Sequence, residues 1–503
     1  MSGSELDGLP PNWIKACLGD VLPLSYGKGL TEKNRDSSGH VPVYGSSGIL
    51  GHHSAALTTR ATLVVGRKGS VGEVYYSAVP CWPIDTTYFV EETESLNLPF
   101  FAYLLKAMRL GQLDKSTAVP GLSRDDYNVV EIPIPPLREQ GRIVAEIEKQ
   151  FTRREAAVEA LKRVRANLKR YRTSVLKTAC EGRLVPTEAE LARAEGRDYE
   201  PAEKLLARIL KERRARWEAD QLAKMHAAGK PPKDDKWKAK YKEPAAPDSS
   251  NLPQLPEGWV WATIDQLLSS QPRSLQSGPF GSNLHHSEFV QEGLLAIGID
   301  NVLDGRFSIG RAHHITEEKF ASLSKYAARP HDVLVTVMAT IGRCCVVPAT
   351  LEPAIVTKHV YRITVNQTGI RPHYLVCCIR GDDSVRKQLY GQVRGQTRPG
   401  LNGEILGTVA IPIPPPAEQE RILAEVERRL SVIDELEAIV EANLKRAERL
   451  RQAILKRAFE GRLVPQDPSD EPASVLLERI RAEREAKSAS VKLVKPARKV
   501  VAQ

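Results

Sequence analysis

What most constrains this 503-residue chain is that it repeats itself. Ile132-Pro133-Ile134-Pro135-Pro136 returns as Ile411-Pro412-Ile413-Pro414-Pro415, an offset of 411 − 132 = 279. The same offset carries Pro120-Gly121-Leu122 onto Pro399-Gly400-Leu401, Glu139-Gln140 onto Glu418-Gln419, Arg142-Ile143 onto Arg421-Ile422, and the EGRLVP of 181–186 onto that of 460–465. A repeat of this length fixes the architecture before any local reading is made. ANLKR at 166–170 recurs at 442–446 with an offset of 276, which reads as a three-residue slip between the anchors. Two weaker echoes frame the blocks. Leu9-Pro10 and Trp13 resemble Leu255-Pro256 and Trp259, and Glu200-Pro201-Ala202 with Leu205-Leu206 resembles Glu471-Pro472-Ala473 with Leu476-Leu477. Between head and tail the halves diverge, apart from an apolar strand and turn at 63–72 and 333–342. The chain therefore reads variable, constant, variable, constant.

Each constant block predicts a long amphipathic helix. After Pro136, Val144, Ile147, Phe151, Val158, Leu161, Val164, Leu168, Tyr171 and Val175 recur at spacings of three, four or seven, a heptad-like seam. The second copy carries Leu423, Val426, Leu430, Ile433, Val440, Leu444, Ala447, Leu450 and Ile454. About 42 residues at 1.5 Å each make a rod of roughly 60 Å, too long for the core of one small domain. The economical partner is the other copy, packed as an intramolecular coiled coil; the alternative is two helices that each lie on their own domain. IPIPP ends a strand, Glu139 and Glu418 favour a helix N-terminus, and Gly182 and Gly461 supply helix stops.

Bulk properties exclude several classes. With 42% hydrophobic and 27% charged residues the chain has the composition of a globular protein. Lys and Arg outnumber Asp and Glu by 72 to 62, a formal charge of +10, which favours a polyanionic partner. No stretch approaches a membrane span, and the start has no signal-like core, so a cytoplasmic location is expected. The seven cysteines include the adjacent pairs Cys344-Cys345 and Cys377-Cys378 and no C-x-x-C spacing; buried small apolar roles are expected rather than zinc or disulfides.

A search for chemistry finds no phosphate-cradling G-x-x-x-x-G-K-[ST], no G-x-G-x-x-G, no H-E-x-x-H and no Asn-Pro-Pro-aromatic methyltransferase signature. The glycine-rich 66–72 reads as a turn after a strand. The histidine doublets at 52–53, 285–286 and 313–314 would point to opposite faces of a strand, which disfavours a shared metal. The lysine-rich 229–242, with Trp237 and Tyr241, reads as a solvated linker, or else as a contact to phosphates or a protein.

The variable regions offer side chains suited to DNA. These are Lys28, Arg35, Tyr44, Ser46, Ser47, Arg67, Lys68, Lys115 and Arg124 in the first, and Arg273, Asn283, Arg343, Lys358, Arg394, Gln396, Arg398 and Asn402 in the second. Arg and Lys match guanine edges, Asn and Gln match adenine, and all four match phosphate; plain surface solvation is the alternative for any one of them.

Two diverged domains, each followed by a near-constant IPIPP…EQ…EGRLVP helix, resemble the specificity subunits of type I restriction-modification systems, over nearly the whole chain. The resemblance implies an α+β fold with an internal pseudo-twofold repeat: two globular target recognition domains separated by two long helices in an antiparallel intramolecular coiled coil. The expected division is target recognition domain 1 at 1–136, helical spacer 1 at 137–186, charged helix and basic linker at 187–250, target recognition domain 2 at 251–415, helical spacer 2 at 416–465 and a charged tail at 466–503. It also implies that each domain reads one part of a split, asymmetric site in double-stranded DNA while the helices set the spacing. The implied partners are two adenine methyltransferase subunits and ATP-dependent translocase-nuclease (restriction) subunits. S-adenosylmethionine, ATP and Mg would be held by those partners, with no cofactor and no catalytic site in this chain. Ala118-Val119 stands where the second half has Thr397-Arg398, so a phosphate contact carries over to Arg398 more readily than to the first half. A coiled-coil scaffold without a nucleic-acid role, and a methyltransferase-nuclease fragment, are the competing classes.

Overall fold

The computed structural model describes residues 8–36, 38–113, 121–280, 283–391 and 401–493, with side chains to 486. Two compact units emerge, one built from residues 1–163 with 440–503 and the other from 164–439.

In the first unit, β1 (Ile14–Cys17) leads through a short α1 (Leu18–Val21) to β2 (Ser25–Tyr26), β3 (Val41–Gly45), β4 (Gly48–His53), β5 (Thr62–Gly66), β6 (Val74–Ser77), β7 (Trp82–Pro83) and β8 (Thr87–Glu91). α2 (Leu98–Met108), α3 (Arg124–Asn128), β9 (Glu131–Ile134) and α4 (Leu137–Cys180) follow. One sheet runs β2-β8-β5-β6 and a second β4-β3-β7, with β3 and β7 parallel. β5 is buried along its whole length.

The second unit uses the same plan. After α5 (Glu188–Glu195) and α6 (Ala202–Ala227) come β10 (Val260–Thr263), α7 (Ile264–Leu267), β11 (Leu275–Ser277), β12 (Leu294–Ile297), β13 (Val302–Leu303), β14 (Arg306–Phe307) and β15 (His313–Ile315). α8 (Glu317–Ser322), β16 (Ala327–Ala328), β17 (Val333–Thr336), β18 (Cys344–Val346), β19 (Ala354–Val356) and β20 (Val360–Ile363) continue it. α9 (Pro372–Gly381), α10 (Asp383–Gly391), α11 (Gly403–Thr408), β21 (Ala410–Ile413) and α12 (Pro416–Phe459) follow; the last residues of α12 and all of α13 (Ala473–Leu493) belong to the first unit. The sheet β11-β20-β17-β18 has the strand order of β2-β8-β5-β6, and β12 pairs in parallel with β19 as β3 does with β7.

The IPIPP motifs sit in two-stranded ribbons of matching register. Pro133 faces Lys15 and Pro412 faces Trp261. A ribbon of two strands has only edges, which is where a strand tolerates a residue without N–H. The chain then turns into a helix whose first turn is tied back, Gln140 Nε2 donating to Pro135 O (3.0 Å) and Gln419 Nε2 to Pro414 O (3.1 Å).

α4 and α12 are both 44 residues long and end at equivalent positions, so the 279 offset holds from end to end. The likeness of 166–170 to 442–446 is thus a resemblance of sequence at different heights, not a slip. In the first unit Arg154, on α4, pairs with Glu448 (2.8 Å) and donates to Ala447 O (2.7 Å), while Phe151 carries the Arg451 guanidinium 5.7 Å from its ring centre, so the helices run antiparallel. In the second, Arg172 binds Asp434 and, at 3.1 Å, Glu437. The seam is less continuous than the heptads predict: Val426, Ile433 and Val440 are buried, but Val164, Tyr171 and Leu450 are exposed. An α-helix of 3.6 residues per turn drifts against a seven-residue repeat, so apolar spacing alone does not fix which side chains meet the partner helix.

The head echoes find their purpose at the helix starts. Trp13 Nε1 donates to Glu139 Oε2 (3.0 Å) and Trp259 Nε1 to Glu418 Oε1 (2.9 Å). Each tryptophan also lies against the glycine of an EGRLVP block. A Cβ on Gly182 (φ 67°) would meet Pro256 at 2.6 Å and Trp259 at 3.1 Å; one on Gly461 (φ 69°) would meet Pro10 at 2.4 Å and Trp13 at 3.4 Å. So the first head is closed by the end of the second constant block, and the second head by the end of the first. The cores agree: Phe459, Leu476 and Ile480 pack with Phe100 and Ile147, while Cys180 and Ala202 pack with Trp259 and Ile422.

Glu418 is fully buried, faces the Trp259 indole, the Glu188 backbone N–H (2.8 Å) and the Arg421–Glu188 ion pair, and burial pushes its carboxyl up to about 7. Its folded value lies above the ordinary 4.5, so between those values the folded state binds more protons than the unfolded one. Stability should therefore fall as pH rises through about 4.5 to 7, by about 3 kcal/mol in total. Chemical denaturation at pH 5 and pH 7.5 is expected to show this loss in the wild type and much less of it in Glu418→Gln; equal losses in both would contradict the assignment.

Candidate nucleic-acid interface

The strand-and-turn echo at 63–72 and 333–342 is one hairpin built twice. Gly66 N donates to Glu73 O (2.7 Å) and Gly72 N to Gly66 O (2.8 Å); Thr336 N donates to Arg343 O (2.8 Å) and Gly342 N to Thr336 O (2.9 Å). The turn needs a left-handed residue, supplied by Gly69 (φ 80°) in one copy and by Ala339 (φ 60°) in the other. For alanine that conformation costs on the order of 1 kcal/mol. The Pro-Gly-Leu motif also acquires a role, because its buried leucine docks on the turn: Leu122 N donates to Arg67 O (2.9 Å) and Leu401 N to Val337 O (3.1 Å). On the other side Arg67 N donates to Thr86 O (2.9 Å) and Val337 N to His359 O (3.0 Å).

This frame gathers a basic, aromatic corner in the first unit. Tyr26 is half exposed, with the guanidinium of Arg67 5.1 Å and that of Arg124 4.9 Å from its ring centre. Such stacking fixes the two cations without neutralising them. Arg67 Nη1 also donates to Asp85 O (3.0 Å) and Arg124 Nη1 to Leu24 O (3.3 Å). Lys28 is exposed beside the Trp82 ring, at 5.9 Å, and Lys68 is exposed in the turn. Ser46 and Ser47 form the two-residue tip of the β3–β4 hairpin, the Ser46 hydroxyl abutting Gly69. The structure thus brings Lys28, Ser46, Ser47, Arg67, Lys68 and Arg124 together. Tyr44 is buried among Val64, Cys81 and Tyr75 and supports the hairpin from beneath, while Arg35 reaches along β4 to Leu50 O (3.4 Å).

The same corner of the second unit carries other side chains. The place of Arg67 is taken by the buried Val337 and that of Lys68 by Met338, while away from the tip, on the hairpin's second arm, Arg343 stands where the first unit has Glu73. Lys358 is exposed in the β19–β20 turn, where the first unit has Asp85. Phe280, more than half exposed, follows β11, and Asn283 Nδ2 donates to its carbonyl (3.2 Å). Asn402 caps α11, its Oδ1 accepting from Ile405 N (2.8 Å), as Ser123 caps α3. Arg273 lies at the opposite end of β11 from this corner, where its carbonyl accepts from Arg362 Nη2 (2.6 Å). Lys115, Arg394, Gln396 and Arg398 lie outside the described residues. Sequence reasoning missed Tyr26, Phe280 and Met338, because nothing in their surroundings marks them as exposed.

Other candidates resolve structurally. Trp237 stacks on Trp217 with ring centres 6.1 Å apart, and Tyr241 packs there at 5.2 Å, so the linker aromatics fold back onto α6. The vicinal cysteines are buried in β18 and α9 as expected, burial pushing the Cys345 thiol up to about 12. Among the described residues no cluster of three or more His, Cys, Asp or Glu could hold a metal, and no helix is long and apolar enough to cross a membrane.

Comparison with known proteins agrees with this geometry. The model of the type I restriction modification DNA specificity domain matches residues 10–163 and 298–446, more than half of the chain. The EcoDI specificity subunit of the type I restriction enzyme of Escherichia coli is 24% identical over 492 residues, covering 95% of this chain and 96% of the relative. The EcoBI specificity subunit of Escherichia coli is 24% identical over 435 residues, covering 84% and 80%. Among solved structures, a chain from work on complex assembly and conformational transition of the type I R-M system aligns with a TM-score of 0.58 at 19% identity, over 90% of this chain and 99% of that one. The HsdS subunit from Thermoanaerobacter tengcongensis aligns at 0.50 and 18% identity, over 90% and 98%; these two share the fold. One hairpin frame is built twice and dressed differently each time, and the chain belongs to this family: it is a type I restriction-modification DNA specificity subunit.

Proposed function

We propose that the two hairpin corners are the reading heads, each contacting one part of a bipartite, asymmetric site in double-stranded DNA. The observation that carries this is the shared frame with unlike side chains. Arg67, Lys68, Lys28 and Arg124 present cations that suit guanine edges and phosphates, whereas Met338, Phe280 and Lys358 present an apolar surface with one cation. Two equal frames with unequal surfaces favour two unlike half-sites. The continuous helices α4 and α12 would set the spacer between them.

In this reading the chain supplies address and not chemistry. It docks two adenine methyltransferase subunits and recruits the restriction subunits, and S-adenosylmethionine, ATP and Mg belong to those partners. It works in the cytoplasm, where its DNA is. The test is methyl transfer from labelled S-adenosylmethionine to DNA by the chain, by the methyltransferase subunit and by the two together. Site-specific transfer is expected only from the mixture. Transfer by the chain without a partner would make it an enzyme in its own right and overturn the proposal.

A further inference from the structure

Behind the first-unit hairpin lies a hollow of about 590 Å³, lined on one side by 71–75 and on the other by Lys106 and Arg109 at the end of α2 and by Arg451 of α12. A second hollow of about 440 Å³ shares those three cations and adds Glu448, Leu455, Phe459 and Lys456, the last paired with Glu460 at 3.7 Å. Arg109 holds the left-handed position that ends α2 (φ 52°), so its direction is set by the backbone. The Arg451 guanidinium rests on the Phe151 ring. Among the described residues, no carboxylate pairs with Lys106, Arg109 or Arg451 within 4.0 Å. Burial, and then the charge of Arg451, hold the Lys106 ammonium below its usual value. Glu73 also lines the first hollow, so three cations face one carboxylate there, and an anion seated among them would relieve the excess positive charge.

The second unit has the counterpart, a hollow of about 590 Å³ lined by 339–343, Ile379, Arg380, Arg386, Tyr390 and Arg172 of α4. Arg172 stands eight residues before the end of its helix, as Arg451 does before the end of α12. Here Arg172 and Arg380 are partnered by Asp434, Glu437 and Asp304, which leaves Arg343 and Arg386 without an ion pair among the described residues. The hairpin arm is the same in both: Val71-Gly72-Glu73 in one, Ile341-Gly342-Arg343 in the other.

We infer that these two hollows are seats for DNA backbone phosphates, one per unit, distinct from the base-reading corners. The inference rests on the DNA-reading function proposed above. Each hollow shares its hairpin with a reading corner, so a phosphate held there would lie close to the bases read. Unpaired cations recur in both hollows while the reading side chains differ, the division of labour expected when phosphate contacts position and base contacts specify.

The test uses the full chain assembled with its methyltransferase subunit, with DNA affinity measured from low to moderate salt. Lys106→Ala with Arg451→Ala is expected to weaken binding tenfold or more and to lower the slope of log affinity against log salt by about 0.9 per phosphate lost. The methylated sequence and the assembly of the complex should stay as in the wild type. Arg343→Ala with Arg386→Ala should act likewise and serves as an independent check on folding. Unchanged affinity and slope in both pairs would overturn the inference; loss of assembly at unchanged DNA affinity would make the hollows protein-docking sites. If the wild-type complex itself shows no sequence-selective DNA binding, it is the proposed function that fails.

Discussion

Replacing Arg362 with leucine is expected to cost the second unit about 3–5 kcal/mol and to lower its melting temperature by roughly 10 °C. Arg362 and Asp332 are each 1% exposed, Nε lying 3.6 Å from Oδ2. The guanidinium also donates to the carbonyls of Ala327 and Arg273, and Asp332 accepts from Thr364 Oγ1 (2.5 Å) and Arg329 N (2.7 Å). This pair therefore ties β20 to β16 and to the loops that hold Arg273 and Asp332. Burial raises the Asp332 carboxyl and lowers the Arg362 guanidinium from their usual values, which is desolvation acting on both ions. Removing one partner strands the other in the core, so the single substitution should cost more than the pair Arg362→Leu with Asp332→Leu. Calorimetry of the three proteins checks this. A single variant melting within about 1 °C of the wild type would show that the pair carries none of the unit's stability.

The second large effect concerns the helices. Removing seven residues from the middle of both α4 and α12 shortens each by about 10 Å. At 3.4 Å per base pair, the spacer between half-sites is expected to shrink by about 3 base pairs with the half-sites unchanged. Removal from one helix only should disrupt the pairing of Arg154 with Glu448 and of Arg172 with Glu437. Methylation patterns in cells carrying each deletion provide the readout. An unchanged spacer in an active double deletion would remove the helices from that role.

The repeat made the architecture legible, because it appears in residues with strong local meaning: prolines that end a strand, glycines that end a helix, and the apolar spacing between them. What stayed hidden were the long-range pairings. Glu139 and Glu418 read as helix-start charges, and only the fold shows the Trp13 and Trp259 indoles resting on them. The hairpin corner was half visible. Arg67 and Lys68 stand in a turn that sequence reveals, but Arg273 looks equally loop-like and sits at the far end of its strand. Val164 and Tyr171 fit a heptad and are exposed, since periodicity reports spacing and not what lies opposite. Arg362, an arginine in an apolar strand, carried a local oddity whose partner, thirty positions away, sequence could not supply.

Methylation mapping by single-molecule sequencing, in cells co-expressing this chain and its methyltransferase subunit, tests the central claim most directly. The expected result is a split motif of two unlike halves at fixed separation, with Arg67→Ala and Lys68→Ala relaxing one half only. A continuous palindrome, or a methylation pattern that does not depend on this chain, would contradict the two-headed reader.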